Sequence, residues 1–75
     1  MNELLNNIDK IHTTKLGIER IKRNVNIDDI EFIKNLILNK KSIINKKGKN
    51  YYVEIDNLII TINSYNYCII TVHRR

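Results

Sequence analysis

Seventy-five residues with a formal net charge of +5 and 43% hydrophobic side chains make one small folded domain, since a chain this short buries only about two-thirds of its unfolded surface and cannot support two cores. A single cysteine, Cys68, excludes an intramolecular disulfide and a thiolate zinc site, and no uninterrupted apolar run is long enough to span a bilayer. The positive balance, with a pI near 9.5, favours an anionic partner such as nucleic acid or an acidic protein surface, although a bias toward Ile, Asn and Lys also follows from AT-rich coding.

Leu4, Leu5, Ile8 and Ile11 recur at a spacing of three and four, which predicts a short helix over 2–11. Thr14 is placed to cap a second helix, with Leu16 or Gly17, Ile21 and Val25 inward and Arg20, Lys22 and Arg23 elsewhere. Asp28 stands three residues before Glu31, the spacing of a capping box. Ile30, Ile33, Leu36 and Ile37 then form the buried stripe of a third helix with Phe32 on its flank, ending near Asn39 ahead of Lys40 and Lys41.

Beyond Lys41 the period becomes alternating. Strands are predicted at 42–46, 50–55, 58–63 and 67–73, separated by Lys47-Gly48, by Asp56-Asn57 and by a three-residue loop at 64–66. The chain is therefore a single α+β domain over 1–75. Two to three N-terminal helices (1–39) pack on one face of a four-stranded antiparallel β-meander (42–73).

Loop lengths fix a register. Ile55 opposes Leu58, Val53 opposes Ile60 and Tyr51 opposes Ile62; in the last hairpin Ile62 is expected opposite Cys68, Ile60 opposite Ile70 and Leu58 opposite Val72. These residues form the helix-facing side. The opposite side carries Tyr52, Glu54, Ile59, Thr61, Asn63, Tyr67, Ile69, Thr71 and His73, with no helix left to cover it. Such a mixed, open face is a surface for a polynucleotide, for another protein or for a second copy, so monomer and homodimer both stand open.

Metal-independent RNA cleavage needs a base for the 2′-OH, an acid for the leaving 5′-oxygen and cations for the phosphorane. His12 and His73 are the candidate acid and base, Glu54 is an alternative base, and Arg20, Lys22, Arg23, Arg74 and Arg75 are candidate charge stabilisers. No closely spaced His and carboxylate set suggests a metal, and no cofactor is expected. Each histidine also has a plain structural reading, one in a turn and one at a strand end. Lys46, Lys47 and Lys49, with Lys40 and Lys41, either keep an edge strand from pairing with another chain or contact phosphates. Tyr52 and Tyr67 are placed to stack on bases, and cross-strand packing explains them equally. Cys68, on the core side, reads as an inert small hydrophobe.

HTTKLGIERIKRNV, KKGKNYYVEID and ITINSYNYCIITVHRR together resemble a small uncharacterised bacterial family, a domain of unknown function found mostly in Firmicutes, over essentially the whole chain. That resemblance implies no activity. A more distant similarity is to barnase, colicin and RelE-like ribonuclease toxins, where N-terminal helices precede an antiparallel sheet; it implies His12, Arg20, Thr71 and His73 as matching positions. The expected function is RNA binding or toxin-like ribonuclease action through the open face. The alternative is a non-enzymatic, anti-CRISPR-like or antitoxin-like inhibitor of a nucleic-acid-handling protein.

Overall fold

The computed structural model describes residues 3–75. Three helices, α1 (Glu3–Asn6), α2 (Lys15–Val25) and α3 (Ile30–Leu38), precede four strands, β1 (Ile43–Lys47), β2 (Asn50–Ile55), β3 (Leu58–Asn63) and β4 (Ile69–Arg74). The strands form one antiparallel sheet in the order β1-β2-β3-β4, the α+β meander expected from the sequence.

The first helical segment is shorter than its periodicity suggests. The Asn7 side chain donates to the Glu3 carbonyl at 2.8 Å, so an amide competes with the backbone, and the chain passes into a 3₁₀ turn at Ile8–Lys10. The predicted start at residue 2 lies outside the described residues. Thr14 caps α2 as expected, its hydroxyl accepting from the Gly17 N–H at 2.9 Å. Leu16 is exposed, and Gly17, Ile21 and Val25 take the inward positions. Gly17 permits close approach, because a Cβ there would collide with the Thr13 hydroxyl. For α3 the cap is Asp29, not Asp28. Asp29 Oδ1 accepts from the Glu31 N–H at 2.9 Å, while Asp28 is turned to Lys22 at 3.7 Å.

Helices and sheet share one core in which Leu4, Ile21, Ile33, Ile37, Val53, Ile60, Ile62 and Val72 are essentially inaccessible to water. The β2-β3 pairing is the predicted one, through Tyr51 to Ile62, Val53 to Ile60 and Ile55 to Leu58. The β3-β4 register departs from expectation. Ile62 pairs with Ile69 and Thr61 with Thr71, so Ile70 is an extra residue, a β-bulge. Ile69 is consequently buried and Ile70 is 46% exposed, the reverse of their predicted sides, while Val72 returns to the core.

The cause lies in the preceding loop. Asn63 Oδ1 accepts from the N–H groups of Tyr65 and Asn66, Asn66 Oδ1 accepts from Cys68, and Tyr67 adopts a left-handed φ of 59°. That turn sends Tyr67 to the helix side. Its ring stacks on Tyr51 at 6.5 Å, and Lys10 and Lys46 cap the pair from either end, each with Nζ at 5.9 Å from a ring centroid.

Tyr51 is buried, and its hydroxyl donates to Glu3 Oε2 at 3.3 Å. Burial first, and then the Glu3 charge and hydrogen bond, push this phenol above the ordinary value of 10.0. A phenol raised in the folded state contributes stability in full below the unfolded value, and that contribution is lost as pH rises through the folded value. Unfolding curves at increasing alkalinity are expected to show stability falling above about pH 10, less steeply in Tyr51→Phe; identical pH dependence in the two proteins would refute this.

Candidate functional site

The described helices pack on one side of the sheet, in the core with Tyr51, Val53, Ile60, Ile62 and Val72, and no described helix lies over the other side, where Thr61 alone among the described residues is buried. Register partners divide that outer face into rows. Ile43, Glu54, Ile59 and His73 form the row nearest the β2-β3 turn, Asn45, Tyr52, Thr61 and Thr71 the next, and Lys47, Asn50 and Asn63 the third. An open concavity of about 670 Å³ sits over β1 and β2, lined by Asn45, Lys47, Gly48, Tyr52, Glu54 and Ile59. Gly48, at φ 62°, makes the tight two-residue turn at its mouth. The Asn50 amide lies 3.3 Å from the Tyr52 hydroxyl, helping to hold that ring on the face.

The sequence-predicted site residues fall into separate groups. Tyr52, Glu54, Thr71, His73 and Lys47 share the outer face. Arg75 closes one end, its N–H donating to the Asn57 carbonyl at 2.7 Å and its guanidinium to the Asp56 carbonyl at 2.6 Å, with Glu54 Oε1 3.5 Å away. Tyr67 and Lys46 belong to the aromatic stack on the helix side, and Arg74 pairs across from Leu58 on that side as well. Lys49 is exposed in the β1-β2 turn.

His12 and His73 are not brought together. The segment carrying His12 runs beside the start of β4 as a parallel bridge to Cys68, its N–H donating to the Tyr67 carbonyl and its carbonyl accepting from Ile69. Cys68 and His73 are five residues apart along the chain, so the histidines are separated by on the order of 15 Å along the strand. The His12 ring is turned back, with Nδ1 2.8 Å from the Lys10 carbonyl.

Helix α2 runs alongside β4 in the same direction. Thr13 donates to the Ile69 carbonyl and Asn24 to the Val72 carbonyl, each at 3.3 Å. Arg20, one helical turn before Asn24, is therefore carried along the β4 margin, with Arg23 exposed beside it and Lys22 paired to Asp28. The His-Thr-Thr segment and Gly17 thus have a structural use: they close the β4 edge and start α2.

Sequence reasoning assigned β1 to neither face and expected its turn at Lys47-Gly48; the turn is Gly48-Lys49, so Lys47 pairs with Asn50 and Ile43, Asn45 and Lys47 fall on the outer face. It also missed how charge is divided. Residues 1–39 hold six Lys/Arg against six carboxylates, whereas residues 40–75 hold seven against two, so the sheet half carries the entire net charge. Among the described residues no three His, Cys, Asp or Glu side chains gather as metal ligands, and no helix is long and apolar enough to cross a membrane.

The family model described as a protein of unknown function, DUF3781, matches residues 5–73, and the chain belongs to that family. No curated protein matches the chain significantly. No solved structure does so either.

Proposed function

We propose that this chain binds single-stranded RNA across the outer face of its sheet. The observation that carries the reading is the open concavity on the uncovered face, where the Tyr52 ring stands with Lys47 and the exposed Lys49 turn adjoins it, within the half of the chain that holds all the net positive charge. Tyr52 offers a ring for one base, Asn45, Thr71 and His73 offer donors and acceptors, and Lys47, Lys49 and the Arg20 and Arg23 margin offer cations to phosphates. A flat face reads single strands more readily than duplex, because the deep major groove of an RNA helix admits no sheet.

Anisotropy titrations with labelled decauridine are expected to show affinity falling with salt, at a logarithmic slope of about −2 to −4 for three to five phosphate contacts. Duplex RNA of the same length is expected to bind more weakly. A folded protein that binds decauridine at no salt concentration would end this reading.

A second reading, metal-independent cleavage, is favoured by one pair of groups that do share a face. Glu54 and His73 lie in one row on either side of Ile59, with backbones about 10 Å apart across two inter-strand spacings. Glu54 would take the proton of the 2′-OH as that oxygen attacks phosphorus, and charged His73 would protonate the departing 5′-oxygen. The products would be a 2′,3′-cyclic phosphate and a 5′-OH. Product analysis on a short RNA is expected to show that terminus only with both groups present, and intact RNA after prolonged incubation would leave binding alone.

A further inference from the structure

The two edges of the sheet differ. The β4 edge is occupied by the His12 bridge, the Thr13 hydroxyl and the Asn24 amide. The β1 edge has β2 on one side and no described strand or helix on the other. Because a two-residue loop joins Lys47 to Asn50, those two residues form a hydrogen-bonded pair, and the alternation of an antiparallel ladder then turns Ile43, Asn45 and Lys47 toward β2. The N–H and C=O groups of Ile44 and Lys46 point outward.

Beside that edge, on the helix side, lies a hollow of about 420 Å³ with apolar walls from Leu5, Ile37, Leu38 and Ile44 and a polar side from Asn39, Lys40 and Ser42. Leu38 is 51% exposed at the end of α3, and Leu5 is also uncovered. Lys40 and Lys41 stand at one end of the edge and Lys47 and Lys49 at the other, and among the described residues none of these four joins an ion pair.

We propose that the β1 edge receives an extended acidic segment of a partner protein as a fifth strand, its alternate apolar side chains entering the hollow beside Leu38. The free backbone groups supply pairing, the hollow accepts side chains of one parity, and the four lysines select negative charge. The same lysines disfavour a second copy, which would set like charges against one another. The free backbone edge and the hollow lie apart from the outer face, although Lys47 and Lys49 border both surfaces, and strand pairing there does not depend on RNA binding.

The test uses a labelled peptide alternating Glu and Val, followed by anisotropy and by amide hydrogen exchange on the whole chain. Expected are saturable binding, about tenfold slower exchange at Ile44 and Lys46, and about tenfold weaker binding of the same peptide with alternate backbone nitrogens methylated. Leu38→Asp, at an exposed position, is expected to weaken binding several-fold with an unchanged circular dichroism spectrum. Equal binding of the methylated peptide, no slowing at the two β1 amides, or their protection by decauridine and not by the peptide would each overturn the proposal.

Discussion

Replacing Ile60 by Ala is expected to destabilise the domain by about 2–5 kcal/mol, the range for removing a buried branched side chain whose surroundings cannot collapse. Ile60 is fully buried on β3, an interior strand, between its register partners Val53 and Val72. A domain of this size has roughly 4–11 kcal/mol in total, so one such cavity removes a large part of it. The midpoint of thermal unfolding should fall by about 10 °C or more. Thr61→Val is the control, on the next residue and the opposite face. Thr61 is itself only 6% exposed, and this swap is expected to change stability by less than about 1 kcal/mol. Equal losses at the two positions would contradict the assignment of core and outer face.

The double variant Tyr52→Ala, Lys47→Glu is expected to weaken decauridine binding by about 10- to 100-fold, combining about 1–3 kcal/mol for a lost stacking surface with the reversal of one phosphate contact. Both positions line the same concavity on the outer face, Tyr52 as a wall and Lys47 at the rim. Lys22→Glu is the contrasting change. Its ammonium is engaged with Asp28 at 3.7 Å on α2, so RNA affinity should move little. An equal effect from Lys22→Glu would mean that net charge alone governs binding and that no face is used.

Most of the fold was legible because each element announces itself locally. The stripe Ile30, Ile33, Leu36 and Ile37 could only be a helix face, and the two-residue loop at Asp56-Asn57 set the β2-β3 register without long-range information. The β4 register was not legible. It turns on Tyr67 taking a left-handed conformation held by Asn63 and Asn66, and a count of loop residues contains no trace of that choice. Two of the nine residues expected on the open face moved with it, as Tyr67 and Ile69 turned to the helix side, and Ile70 came into the open. The separation of His12 from His73 was equally invisible, because it depends on which end of β4 the chain meets after α1. What did survive of the face, Tyr52, Glu54, Thr71 and His73, follows from alternation once the bulge has been passed.

The bridge between His12 and Cys68 bears on how the domain assembles. Every strand pairing within the sheet joins neighbours in sequence, so the three hairpins can form early and locally. The bridge instead joins positions 56 residues apart, and it cannot close until both ends of the chain are in place. On this topology the bridge is expected to close after the meander, and weakening it is expected to speed amide exchange in residues 3–14 while the sheet amides keep their protection.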